Sequence, residues 1–117
     1  RKQAVKIGKF FENNNILSDK VYSSEWCRCK ETALIAFNNF ETKNFLNSFF
    51  SSKFSQNKEP QMKQLKKFIK SWDGEKNLVF VTHYVVISES LNYAPSSGEI
   101  VISDINLNVI DTIEIEY

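Results

Sequence analysis

The chain has 117 residues, a formal net charge of +1, 42% hydrophobic and 25% charged residues. That size suits one domain spanning residues 1–117 with a real core, and the near-neutral charge gives no electrostatic case for nucleic acid or an anionic membrane. No apolar run approaches the ~20 residues of a membrane span, and no signal peptide is visible. The chain opens with Arg1, Lys2 and Gln3 and not with Met, so its beginning is expected to be missing or processed.

Ala4, Val5, Ile7, Phe10 and Phe11 recur at helical spacing and predict a helix over about 2–13, ended by Asn13, Asn14 and Asn15. Residues 20–23 read as a short strand. Ser23 and Ser24, with Glu25 behind them, are a good helix start. The following helix carries Trp26, Thr32, Ala33, Leu34, Ala36 and Phe37 and fades near Asn38 and Asn39. Residues 41–60 are the least regular part, yet Phe45, Leu46, Phe49, Phe50 and Phe54 are too apolar for a disordered linker and are expected to cover one end of the core. Pro60 can start a helix over about 60–72, stopped by Asp73 and Gly74. Lys63, Lys66 and Lys67 then form its solvated face, opposite Met62, Leu65, Phe68 and Ile69.

Residues 77–82 are a continuous apolar run rich in β-branched residues, which reads as a strand buried on both faces in a parallel sheet. His83 stands at its end, and Val85, Val86, Ile87 and Leu91 suggest a short helix after it. Residues 92–98 read as a loop, and 99–103 and 109–115 as strands joined by a turn over 104–108. Helices alternating with buried strands argue for an α/β domain with a mixed sheet.

In such sheets ligands bind beyond the C-terminal ends of the strands. Two strand ends are chemically rich here. One leads into Ser23, Ser24 and Arg28, and the other presents Thr82 and His83. His83 is the only histidine of the chain; such a residue is a structural imidazole or a catalyst. Arg28 serves either a surface salt bridge with Glu25 or Glu31, or a bidentate clamp on phosphate oxygens. The serines cap a helix or add hydrogen bonds to the same anion. Cys27 and Cys29, two residues apart on a helix, face away from each other, and two ligands are too few for zinc. They read as packed or free thiols, or as one thiol bonded to a cysteine outside the 117 residues.

Several of these segments resemble the histidine-phosphatase superfamily (phosphoglycerate-mutase-like). Residues 21–33 resemble its S-S-x-x-x-R-x-x-x-T-A segment, with Ser23, Ser24, Arg28, Thr32 and Ala33 in register. Residues 79–83 resemble the V-T-H strand that carries the family's second catalytic histidine. Residues 98–102 resemble its G-E-[IV]-V strand, and residues 1–8 the helix after its L-S-x-x-G turn. The wording of residues 26–32 and 46–50 is similar to a branch of small bacterial members that often carry an export signal, which favours a periplasmic or exported location over the cytoplasm and a disulfide from Cys27 or Cys29 to an upstream cysteine.

The resemblance implies a three-layer α/β/α fold around a mixed, mostly parallel sheet. It implies a phosphatase acting on phosphomonoesters or phosphoramidates through a phosphohistidine. In that scheme His83 and Arg28 are catalytic, Ser23, Thr82 and Tyr84 line the substrate, and no metal or cofactor takes part. The partner is a small phosphorylated substrate; no pattern indicates an oligomeric state. The chain also departs from the family. It has no R-H-G motif, so the nucleophilic histidine and the first strand are expected upstream of residue 1, leaving a gap in the sheet. Larger members place a glutamate after the T-A helix, whereas here Leu46 is followed by Asn47, and Glu41 and Glu59 are the nearest acids. A weak acid favours substrates with good leaving groups. The alternatives are an inactive relative that binds a phosphorylated ligand, and a plain α/β domain without an anion site.

Overall fold

A computed structural model describes residues 2–14, 16, 18–49, 55–72, 77–96 and 99–115. Helix α1 (Lys2–Asn13) is followed by strand β1 (Ser18–Ser23) and helix α2 (Cys27–Phe37). A two-residue strand β2 (Glu41–Thr42) and a 3-10 turn over Asn44–Leu46 lead to a second 3-10 turn (Ser55–Asn57) and helix α3 (Lys58–Lys70). Strand β3 (Asn77–Val81), helix α4 (Tyr84–Leu91) and the strand pair β4 (Ile100–Ser103) and β5 (Val109–Ile113) complete the chain.

The α/β class expected from the sequence is what the chain adopts. The three strands β2, β1 and β3 lie side by side in that order, and both pairings are parallel. Strands β4 and β5 pair antiparallel in a separate sheet. The single mixed sheet expected from the sequence is thus divided in two among the described residues, because β3 and β4 do not pair. For the same reason β3 is an edge strand: Leu78, Val79, Phe80 and Val81 are half-buried, not buried on both faces.

The core gathers on β1. Tyr22 packs with Phe45, Leu46 and Phe49, with Met62, Leu65 and Ile69 of α3, and with Val86 of α4. The Tyr22 and Phe68 rings meet edge to face at 5.0 Å, and Phe45 lies 5.4 Å from Phe68, a geometry that adds to plain area burial. Lys43 Nζ sits 5.5 Å and 5.4 Å from the centres of the Tyr22 and Phe68 rings. The aromatic segment after α2 therefore does cover the core through Phe45, Leu46 and Phe49; Phe50 and Phe54 lie outside the described residues. Lys63, Lys66 and Lys67 are exposed, as a solvated helix face requires.

Helix α2 packs against β1 and β3, and α1 lies across α2. Gly8 makes that crossing possible: a Cβ there would stand 2.6 Å from the Ala36 carbonyl oxygen, which belongs to backbone and cannot swing aside. Beside it Phe11 meets Phe37 edge to face at 4.9 Å. Gln3 Nε2 donates to the Ile115 carbonyl at 3.0 Å and ties α1 to the strand pair.

Element ends differ from expectation where side chains outbid local preference. Helix α2 begins at Cys27, with Trp26 and not a serine at its N-cap, and no side chain caps it. The chain first bends at Glu25 and Trp26, so Arg28 is the second residue of the helix and not one turn in. Helix α3 starts at Lys58, two residues before Pro60. Proline is tolerated there because the first four N–H groups of a helix have no carbonyl partner. Ser71 ends α3 by donating its Oγ to the Phe68 carbonyl at 2.6 Å; the expected stop at Asp73 and Gly74 lies outside the described residues. The turn over 104–108 is present, tied by Asp104 accepting from the Asn106 and Asn108 N–H groups at 2.9 and 3.0 Å.

Candidate functional site

The parallel pairing of β1 with β3 aligns their C-terminal ends, Ser23 lying beside Val81. The Ser24 N–H continues the ladder by donating to the Val81 carbonyl at 2.9 Å. The next residues on both strands therefore emerge from one edge of the sheet, where parallel α/β sheets place their ligands. His83 caps α4: its φ of −102° and ψ of 157° are extended, and its carbonyl accepts from the Val86 and Ile87 N–H groups at 3.1 Å each.

The imidazole is held from several sides. Its Nε2 lies 2.9 Å from Ser24 Oγ and 3.6 Å from Cys29 Sγ. The Trp26 ring stands against it at 4.8 Å between centres, close to perpendicular. Ser24 is fully buried (0% exposed), and its Oγ also accepts from the Trp26 N–H at 3.2 Å. This contact explains why Ser24 does not cap α2 in the usual way: its hydroxyl is drawn into the bend and toward His83.

Asn47, just after the 3-10 turn, completes the group. Its Oδ1 accepts from Ser24 Oγ at 3.0 Å and from the Glu25 N–H at 2.8 Å, while its Nδ2 donates to Glu25 Oε1 at 2.8 Å. Gln61 of α3 donates to the Asn47 and Phe45 carbonyls at 2.7 and 3.2 Å, anchoring the turn that carries Asn47.

Burial lowers the His83 pKa below its ordinary 6.5, and the nearby Arg28 charge lowers it further. Burial raises the Cys29 pKa, opposed by the Ser24 hydrogen bond and by Arg28. At neutral pH the site therefore holds a neutral imidazole beside a neutral thiol. One consequence concerns stability. Below pH 6.5 the unfolded chain protonates His83 before the folded one does, so the unfolded state binds more protons there. The contribution of neutral His83 is full above that pH and is lost as pH falls toward the lower folded value. Urea unfolding at pH 8 and pH 5.5 should show the native chain losing more stability on acidification than a His83→Ala variant. Equal losses would contradict this.

Among the residues singled out by sequence, the structure brings His83 and Ser24 into contact, while Arg28 reaches His83 only through its charge. Among the described residues Arg28 makes no ion pair with Glu25, whose carboxylate goes to Asn47. Arg28 instead lines a cleft of about 250 Å³ with Ala4, Glu31, Thr32 and Ile35. Ser23 is 0% exposed and donates its hydroxyl to the Ser24 carbonyl at 2.8 Å. Thr82 donates to the Leu46 carbonyl at 2.5 Å. Both hydroxyls are thus engaged in holding the site's walls. Tyr84 is 55% exposed, one residue beyond His83.

Sequence reasoning missed Trp26, Glu25 and Asn47 as site residues. Glu25 and Trp26 were adjacent to the serines and read only as a helix start. Asn47 lies 23 residues from Ser24 in an irregular segment and gives no local signal. Cys27 is an exposed free thiol and Cys29 a buried one. Among the described residues no cluster of three or more His, Cys, Asp or Glu could hold a metal ion, and no helix is long and apolar enough to cross a membrane. Compared with known proteins, the chain matches no protein-family model and no curated protein.

Proposed function

We propose that this chain forms most of a histidine-phosphatase domain that hydrolyses phosphomonoesters or phosphoramidates. The observation that carries the reading is the contact of His83 with Ser24 where two adjacent parallel strands end, with Arg28 near enough for its charge to act on His83. A planar arginine fork and an imidazole are what a phosphoryl group with developing charge on its oxygens requires. The N-terminal amides of α2 and α4 open at the same edge, with their partial positive charge.

In this reading a histidine outside these 117 residues attacks phosphorus and displaces the ester or amide group. The departing atom takes up a proton. Water then attacks the phosphohistidine, freeing the histidine and releasing inorganic phosphate. Arg28 grips the equatorial oxygens and His83 hydrogen-bonds the same group, so catalysis is chiefly positioning and electrostatics. Tyr84, exposed beside His83, borders the substrate. A three-layer arrangement around a longer sheet fits two features. Strands β3 and β4 each have a free edge among the described residues, and one further strand between them would join the two sheets. Helix α2 packs on β1 and β3, while α3 and α4 share a separate core with Tyr22.

A second reading, a relative that binds a phosphorylated ligand without turning it over, is favoured by one fact: the chain's single histidine is His83. Both readings expect vanadate, phosphate or sulfate to raise the melting temperature of the native chain. Ligand at a hundred times its Kd adds ~2.7 kcal/mol. No stabilisation by any of them overturns both. Turnover of p-nitrophenyl phosphate in the presence of EDTA by a protein extended through the first strand separates the enzyme from the binder. The enzyme is expected to prefer aryl over alkyl phosphates, since neither Glu41 nor Glu59 joins the hydrogen bonds around His83.

A further inference from the structure

We infer that Asn47 is a positioning residue that, through Ser24, holds neutral His83 with its proton on Nε2 and leaves Nδ1 as the hydrogen-bond acceptor offered to a ligand. The argument is a count of protons. The Asn47 side-chain atom 2.8 Å from the Glu25 N–H must be the oxygen, and the atom 2.8 Å from Glu25 Oε1 must be the nitrogen. Its orientation is therefore settled by its partners. Ser24 Oγ lies 3.0 Å from that oxygen, which can only accept, so the one hydroxyl proton of Ser24 points to Asn47. Ser24 Oγ has no second proton to give, so it is an acceptor toward each remaining neighbour: the Trp26 N–H at 3.2 Å, His83 Nε2 at 2.9 Å and the Cys29 thiol. Two lone pairs would repel at 2.9 Å, so Nε2 carries a proton. The weaker contact to Cys29 Sγ, at 3.6 Å, follows this choice and does not set it.

The consequence reaches the ligand. A neutral imidazole protonated on Nε2 accepts at Nδ1. The group it takes there must bring its own proton, as a singly protonated phosphoryl oxygen does. This last step rests on the proposed phosphate site; the tautomer itself does not.

The chain's single histidine makes the test direct. A long-range proton–nitrogen-15 NMR spectrum at pH 8 is expected to show the Nε2–H form. In Asn47→Ala the Ser24 hydroxyl is released to donate to Nε2, and the proton moves to Nδ1. In Asn47→Asp combined with Glu25→Gln, whose amide can donate to the new carboxylate, the accepting oxygen is kept and the Nε2–H form is retained; Cys29→Ala retains it too. In Ser24→Ala the Nε2 proton loses its acceptor, and the two ring-nitrogen shifts move toward each other as the tautomers mix. A native Nδ1–H spectrum overturns the inference whether or not any variant folds. So does an unchanged tautomer in Asn47→Ala, or nitrogen shifts in Ser24→Ala that stay at their native values. Vanadate that leaves the His83 signals unmoved refutes the anion site alone, with the tautomer result standing.

Discussion

Vanadate is expected to bind His83→Ala and Arg28→Ala each about 10- to 100-fold more weakly than the native chain, and the double variant little worse than the weaker single. Arg28 donates to the oxygens of the anion and His83 Nδ1 accepts from a protonated oxygen of the same ion; hydrogen bonds to a charged group are worth about 1.5–3 kcal/mol, and 1.4 kcal/mol is about tenfold in affinity. The two effects overlap because both groups grip one ligand: once either is gone, the anion is free to shift away from the other. Arg28→Lys should recover only part of the loss, since an ammonium keeps the charge and lacks the planar fork. Titration calorimetry on the four proteins reads this directly. Additive losses would mean that Arg28 and His83 act at two independent sites and share no ligand.

The meeting of Ser24 with His83 was partly legible in the sequence. The run over 77–82 and the short strand before Ser23 announce themselves by apolar and β-branched content, and their parallel pairing puts Ser24 and His83 at one edge. The apolar spacing of α1 and α3 likewise gives their extents to within a few residues. Local patterns failed where a distant partner decided the outcome. Ser24 has the chemistry of a helix cap, but Asn47, Trp26 and His83 share its hydroxyl, and α2 starts at Cys27 without a side-chain cap. Strand β3 looks like an interior strand by composition, yet burial depends on neighbours, and among the described residues β3 has one. Asn47 was invisible because nothing within a few residues of it marks a site; a fold is needed to carry it to Glu25.

The turn that carries Asn47 has its own test. Leu46 is 1% exposed and packs in the cluster with Tyr22, Met62, Leu65 and Val86. Leu46→Ala removes most of a buried side chain from a site that relaxes incompletely, a change that costs about 2–5 kcal/mol. Native domains have only about 5–15 kcal/mol to lose, so the urea midpoint should drop steeply. The hydrogen bonds at the site run through backbone at this position: Thr82 donates to the Leu46 carbonyl and Gln61 to the carbonyls of Phe45 and Asn47. A smaller side chain leaves these acceptors in place. At low temperature, where the variant is still folded, vanadate affinity should therefore stay within about threefold of native, a change of roughly 0.7 kcal/mol. Loss of affinity in step with stability would mean that core packing, and not the backbone hydrogen bonds of the turn, holds Asn47 against Ser24. A loss of stability under 1 kcal/mol would deny Leu46 its place in the core.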